Sequence, residues 1–527
     1  MLQGRLFNNH LILSSLTGIL LVIAWPPVGL TPLLFFAFVP LLKVMDKTTS
    51  FKKTFLYTYL AFFFWTLGTM YWIGNTQLDG QNFIIVSVAF IFIPLFQTIP
   101  IVLFQVIKRK FDKAYILLLV PFFWVSYEFL HSRWDLAFTW LHLGLGLSPM
   151  PYLIQYYELT GPLGGTLLIW LVNVLVYLIL FKRDKINIKP LYVGLASLLV
   201  LVASANFLLI PGTPKTSRTA HVAIVQNSTD SYQKLNKETL EQQVALISKS
   251  VQRFKQEKID LVVFPEGFLR TSPKAPLIIN EPEHSQTVQR LLAISDSIDA
   301  PLLIGFIGFK LHDSSRESPE NALPIGDGRY YSTYNGAMFL TPDRRVQIQL
   351  KNNLVPFMER VPFLESTSFF EKFRLNLNQS KISYGRDDQT NVFEYEQLKI
   401  APLICLDAVF PAYTTRFIDK RANLVAIIAN DSWAGKTSGF LQNAEYAKSV
   451  ALSLRKTIIR SATTGVSLFV NEVGSVEKET KWKERTTITK AVELNRQKTF
   501  YSIVGDLIGY ISLIVVIISL SYFFIRR

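Results

Sequence analysis

Apolar residues gather into long unbroken stretches toward both ends of the chain and into short runs between them. In the first 210 residues the stretches fall at about 11–25, 30–44, 54–74, 83–107, 114–131, 162–181 and 190–210, and another occupies about 502–524. Most approach the ~20 residues a helix needs to cross a bilayer, so the pattern predicts a polytopic α-helical membrane domain of about eight spans. The first two are short. The connection Trp25-Pro26-Pro27-Val28-Gly29-Leu30 between them breaks any helix, which predicts a tight hairpin.

After Pro211-Gly212-Thr213-Pro214 the pattern changes. Val222-Ala223-Ile224-Val225-Gln226 reads as a strand, and residues 238–257 place Leu240, Val244, Ile247, Val251 and Phe254 at helical spacing. Leu261-Val262-Val263-Phe264 is too short for a helix and stops at Pro265, so it predicts a buried strand; similar runs lie at 301–308, 398–404 and 423–429, with a helix near 441–459. Alternation of this kind predicts an α/β sheet covered by helices. The division expected is 1–210 as membrane domain, 211–501 as α/β domain, and 502–527 as a last span with a short tail.

Charge adds an orientation. The chain has 527 residues, 50% of them hydrophobic, a mean hydropathy of +0.28 and a net charge of +15. Lysines and arginines fill alternate connections: Lys43, Lys47, Lys52 and Lys53; Lys108, Arg109, Lys110 and Lys113; Lys182, Arg183, Lys185 and Lys189; then Arg526 and Arg527. The opposite connections at 25–30 and 75–82 have none, and 132–161 has only Arg133. The positive-inside rule then puts both termini in the cytoplasm and 211–501 across the membrane. Basic flanks facing anionic lipid account for the positive charge, so nucleic acid is not an expected partner. No small-residue cleavage site follows the first apolar run, which is read as a retained span.

The single cysteine, Cys405, lies in the exported part and excludes a disulfide framework. Alone it reads more readily as a small buried hydrophobe than as a nucleophile. Its surroundings change that. Glu266 and Cys405 each follow a buried strand, as do Asn430 and Asp431, and in open α/β sheets functional groups collect beyond strand ends. Thiol acyl transfer needs a nucleophile, a base for its proton, and a cation or donor to hold the oxyanion. Cys405, Glu266 and Lys351 supply those types, whereas the six histidines are dispersed without ligand spacing, so no metal or cofactor is expected.

Phe264-Pro265-Glu266-Gly267, then Leu350-Lys351-Asn352-Asn353-Leu354-Val355-Pro356-Phe357 running on to Glu359 and Pro362, then Leu403-Ile404-Cys405-Leu406-Asp407, then Asn430-Asp431-Ser432-Trp433, resemble the catalytic segments of the nitrilase, or carbon-nitrogen hydrolase, superfamily. With spans before and after, the whole chain resembles the bacterial apolipoprotein N-acyltransferases. The resemblance implies a nitrilase αββα sandwich in which Glu266 is the general base, Lys351 stabilises the tetrahedral intermediate and Cys405 forms a thioester. It implies that Glu359 supports the lysine and the substrate amine, and that Asn335 and Trp433 shape the mouth of the site; packing accounts for Trp433 equally well. It further implies a phospholipid acyl donor, the N-terminal diacylglyceryl-cysteine of an apolipoprotein as acceptor, and the last step of lipoprotein maturation in the bacterial inner membrane, carried out by a monomer.

The chain departs from that family at Leu406 and Asp407, where Tyr and Glu are usual, at Thr464, where an Asn is usual, and at Thr139, where a Pro is common. These bear on substrate preference rather than on the reaction. The apolar segment 357–373, with Phe363, Leu364, Phe369 and Phe370, reads either as a lipid-touching lid or as ordinary packing. Two other classes use the same sequence differently: a membrane-anchored amidase or nitrilase that admits water, and a transporter or receptor, against which stands the scarcity of charge inside the spans.

Overall fold

The computed structural model describes residues 9–75, 82–111, 113–210, 218–228, 239–270, 276–314, 318–319, 321–360, 362 and 383–525. Among the described residues seven helices precede the sheets: α1 (His10–Ala24), α2 (Val39–Lys47), α3 (Phe51–Met70), α4 (Asn82–Lys110), α5 (Val120–His131), α6 (Tyr157–Phe181) and α7 (Lys189–Leu208). Among the described residues, five stretches are long and apolar enough to cross a membrane: Val86–Lys110, Ala114–His131, Tyr157–Phe181, Lys189–Leu208 and the C-terminal Leu507–Ile525.

The span expected over 30–44 is not one helix. A 3-10 turn, Thr31–Phe35, stops and α2 begins at Val39 with Pro40 in its first turn. Pro40 has no N–H and cannot sit inside a helix running through from residue 31 without losing a bond, so the helix restarts there. The groups this leaves open are met by one side chain of the buried α6: Phe38 N donates to Asn173 Oδ1 at 2.9 Å, and Asn173 Nδ2 donates to Leu34 O at 2.8 Å. Irregular backbone at membrane depth survives when protein supplies such partners.

Two sheets stack face to face. The first runs in the order β14 (Thr486–Glu493), β1 (Thr219–Gln226), β2 (Leu261–Val263), β4 (Leu302–His312), β6 (Arg329–Leu340), β5 (Leu323–Gly326), with β3 (Leu269–Arg270) on β4 and β7 (Val346–Leu350) on β6. The second runs β13 (Val476–Glu479), β12 (Leu468–Val470), β11 (Ile458–Ala462), β10 (Leu424–Ala429), β9 (Leu398–Ile404), β8 (Phe393–Tyr395). Val222, Ile224 and Val263 of one sheet meet Ile404, Ile428 and Ile459 of the other in a dry layer. Helices α8 (Leu240–Val251) and α9 (Gln286–Ser297) bury Val244, Ile247 and Leu291 against the outer face of the first sheet. The second sheet is covered by α10 (Pro411–Asp419) and α11 (Ser438–Leu454).

Helix α11 also touches the N-terminal helices. Gln442 accepts the indole N–H of Trp72 (3.0 Å) and of Trp140 (2.7 Å) and donates to Pro26 O and Thr69 O at 2.9 and 3.1 Å. Tyr446 accepts from Trp25 Nε1 (3.1 Å) and donates to Trp140 O (2.9 Å), and Ser449 meets Ser148 at 2.6 Å. These residues recur at helical spacing on one face, and the apolar core around them runs without a break from Trp25 and Trp65 to Phe410 and Leu452. Two more helices, α12 (Phe500–Val504) and α13 (Leu507–Ile525), complete the chain. Asp506 between them pairs with Arg133 at 2.6 Å, tying α13 to the end of α5.

Candidate active site

The ends of β2, β7 and β9 converge on one buried cluster. Strand β2 ends at Val263, and the turn after it delivers Glu266 against β4. Gly305 on β4 permits that approach, because a Cβ there would lie 2.5 Å from Glu266 Cα and 2.5 Å from Pro265 O. Cys405 follows β9 directly with φ at +51°, in the left-handed region that non-glycine residues seldom occupy. This turn lifts the thiol off the strand end and starts the 3-10 segment Cys405–Val409. Strained backbone of this kind is kept where the surroundings hold it in place.

Glu266 is surrounded by donors. Its Oε1 accepts from Asn335 Nδ2 at 2.7 Å and Lys351 Nζ at 3.0 Å, and its Oε2 accepts from the Asn430 backbone N–H at 2.8 Å. Lys351, 1% exposed, also donates to Glu359 Oε1 at 2.8 Å. Glu359 is folded back by a tight turn: its backbone N–H donates to Val355 O at 2.9 Å while its Oε2 accepts from Val355 N at 2.8 Å. Asn335 Nδ2 reaches Glu359 Oε1 too, at 3.3 Å. Lys351 and Asn335 thus bridge the two carboxylates.

These contacts fix the resting charges. Burial pushes Glu266 upward, but Lys351 and the hydrogen bonds from Asn335 and Lys351 outweigh it and hold the carboxyl below its ordinary value. Burial lowers Lys351, yet Glu266 and Glu359 reverse this and keep it firmly protonated. The Cys405 thiol, buried and facing the Glu266 charge, sits well above the usual thiol range despite Lys351. At rest the proton is on sulfur, and a hydrogen-bonded carboxylate stands ready to take it.

Asp407 links two of the converging loops. Its Oδ1 accepts from the backbone and side-chain nitrogens of Asn353, each at 2.8 Å, and its Oδ2 from Ile404 N at 3.3 Å, which fixes the Lys351 loop to the Cys405 loop. Burial raises its pKa to about 6 against the Asn353 hydrogen bonds and Lys351. The folded chain therefore holds a proton that the unfolded chain, with a value of 3.8, releases. Its contribution to stability falls as pH rises from about 4 to about 6, by roughly 3 kcal/mol in all. Asp407→Asn is expected to flatten that part of a stability profile measured by thermal unfolding in detergent; an unchanged slope would mean that Asp407 does not titrate there.

Trp433 follows Asn430 and Asp431 past the end of β10. Its ring packs edge-on to Trp72 at 5.0 Å and to Trp140 at 6.4 Å, at the seam between the α/β part and the helices. Thr139 Oγ1 donates to Val409 O at 2.5 Å, joining the loop before α6 to the Cys405 segment. Leu406 is buried in the core shared with the N-terminal helices. Thr464 is buried behind the site next to Thr463, whose hydroxyl donates to Asn430 Oδ1 at 2.9 Å. Arg360, just after Glu359, pairs with Asp135 at 2.8 Å. The apolar positions Phe363, Leu364, Phe369 and Phe370 of the expected lid lie outside the described residues.

Sequence reading did not single out Asn443 or the Asp431–Arg460 pair. Arg460 grips both oxygens of the fully buried Asp431 at 2.9 and 3.0 Å, and Asn443 Nδ2 lies 3.0 Å from Asp431 Oδ1. Gly465 leaves room for that carboxylate, since a Cβ would stand 1.9 Å from its Oδ2. The polar sequence Asn430-Asp431 just past β10 was the available signal; its partners lie far away in sequence.

A buried thiol with a charged acceptor for its proton and a fixed ammonium suits an enzyme that passes an acyl group through sulfur, standing here on membrane-type helices. The chain belongs to the carbon-nitrogen hydrolase family, whose model matches residues 221–500. A model of the apolipoprotein N-acyltransferase N-terminal domain matches residues 17–175. Across nearly its whole length the chain is similar to the apolipoprotein N-acyltransferase of Chlorobaculum tepidum, at 28% identity over 97% of this chain and 96% of the relative. That of Geobacter metallireducens is 24% identical over 95% and 92%. A solved CN-hydrolase superfamily protein of Xanthomonas campestris aligns with 52% of this chain and 91% of its own, at 15% identity and a TM-score of 0.37. With its similarity to the apolipoprotein N-acyltransferases and its apolar helices, the chain is a membrane protein.

Proposed function

We propose that the protein is an apolipoprotein N-acyltransferase, with Cys405 as nucleophile, Glu266 as general base and Lys351 as the cation that receives the oxyanion. The observation that carries this reading is the meeting of those three side chains in a closed cluster directly above a helix docked on the membrane-type helices. In the first half-reaction Cys405 Sγ attacks the ester carbonyl of a phospholipid. The thiol proton passes to Glu266 and on to the departing alkoxide; a C–S bond forms and a C–O bond breaks. In the second, the neutral α-amine of a diacylglyceryl-cysteine attacks the thioester, forming C–N and breaking C–S, and its proton returns to sulfur through Glu266.

Glu359 is assigned to the second step. It shares Lys351 with Glu266, and its charge supports the lysine and the incoming amine. Asn335 and Asp407 hold these groups in place, and Trp433 packs the seam. Residues 1–210 and 502–527 form the membrane part and 211–501 the catalytic part of a monomer. The alternation of Lys and Arg supports a catalytic part on the outer side of the cytoplasmic membrane, with cytoplasmic termini. Both substrates are then confined to one bilayer surface, which raises their local concentration without extracting either lipid.

Phospholipid carrying a labelled acyl chain, mixed with the purified protein and a lipopeptide bearing the free α-amine, tests the reading. Label is expected in an amide on the peptide, with parallel lines when both substrates are varied. Release of labelled fatty acid at a rate indifferent to the amine would identify a hydrolase instead.

A further inference from the structure

Asn443 follows Gln442 on α11 but is turned about 100° around the helix, away from the docking contact and toward the cluster. It is buried, with Nδ2 3.0 Å from Asp431 Oδ1 and 4.0 Å from Cys405 Sγ. An amide nitrogen carries two hydrogens, and a carboxylate only accepts, so the nitrogen must face Asp431 and its other hydrogen is directed at the sulfur. Asp431 cannot swing away, because Arg460 binds both of its oxygens and is itself anchored on Val466 O.

We infer that Asn443 donates this second N–H to Cys405 Sγ as the sulfur gains negative charge, a role that rests on Cys405 being the nucleophile. The charged groups facing that sulfur are Glu266, Glu359 and Asp431 on the negative side and Lys351 on the positive side. Three carboxylates against one ammonium disfavour a thiolate. Arg460 offsets Asp431, and Asn443 turns the remaining edge of that carboxylate into an N–H aimed at the sulfur. The donor comes from the helix that joins the two halves of the molecule, so the environment of the nucleophile is set partly from the membrane side.

Cys405 is the single cysteine of the chain, so alkylation by iodoacetamide, followed by intact mass, reads this thiol alone. On the full-length protein in detergent, Asn443→Ala is expected to slow alkylation about tenfold near pH 8 and move its pH profile upward by about one unit. Asn443→His, which keeps an N–H donor, should restore most of both. With phospholipid as donor, the acylation rate constant should fall with KM unchanged. If Asn443→Ala does not fold, Asn443→Ser carries the same expectation, since its shorter side chain keeps a polar group but does not reach the sulfur. A wild-type alkylation profile in either variant, with only the melting temperature lowered, would overturn the inference. Alkylation needs no acyl donor, so a failure of the acyltransferase reading would appear separately, as a wild type that alkylates normally but gains no acyl group.

Discussion

Cys405→Ala and Cys405→Ser are expected to lower acyl transfer by several powers of ten, about the loss seen when the nucleophile of a coupled catalytic set is removed. The reason is geometric. Among the described residues Cys405 Sγ is the only thiol, and it stands at a left-handed turn between a proton acceptor and an ammonium. Incubation with phospholipid alone should add the mass of one acyl chain to the wild type, in a linkage cleaved by hydroxylamine. Neither variant should gain a hydroxylamine-sensitive adduct. Glu266→Gln should retain the site of modification but acquire the chain far more slowly, because the proton on sulfur has lost its acceptor. Transfer by Cys405→Ala at near wild-type rates would reduce the thiol to a packing group.

Lys351→Met is expected to act on both rate and stability. The side chain lies between two buried carboxylates, at 3.0 Å from Glu266 and 2.8 Å from Glu359. Removing the cation leaves those charges desolvated and opposed, which costs roughly 3–5 kcal/mol when one partner of a buried pair is deleted. Loss of the group facing the oxyanion should slow turnover by about 10²–10³-fold as well. The pH dependence separates this from a general packing defect. In the wild type Glu266 lies below its ordinary value, so its contribution is present above the unfolded pKa and is lost as pH falls through the folded one. Without Lys351, burial prevails and raises Glu266, and the slope reverses: the variant should gain stability as pH falls from neutrality toward 5. Thermal unfolding across that range is the measurement, and parallel profiles for wild type and variant would remove Lys351 as the cause of the low Glu266 value.

The elements legible in the sequence were those with uniform surroundings. The continuous apolar runs ending at Val263, Ile404 and Ala429 are central strands buried on both faces, and the residues just beyond them, Glu266, Cys405 and Asn430, meet in one cluster. Strands β6, β7 and β14 left a weaker pattern. Asn335 and Gln349 interrupt β6 and β7 with buried polar side chains committed to hydrogen bonds with residues distant in sequence, and β14 is only partly covered. The break between Leu34 and Phe38 was hidden for another reason, because the partner that makes it tolerable, Asn173, lies more than a hundred residues away. Asn443 was obscured by its own helix: neighbouring polar positions on α11 serve docking and site separately, and no periodicity distinguishes them.

That double duty of α11 has a consequence for how the protein can be handled. With Gln442, Tyr446 and Ser449 bonded into Trp72, Trp140, Trp25 and Ser148, cutting the chain near residue 215 would not release a free-standing hydrolase. It would strip one wall from the catalytic half and bare a face with two unpaired indole partners and an apolar core cut open. The embedded helices are better regarded as a fifth layer on the sandwich than as a tether. Detergents and lipids that loosen their packing should therefore register as changes in turnover before any loss of secondary structure is seen.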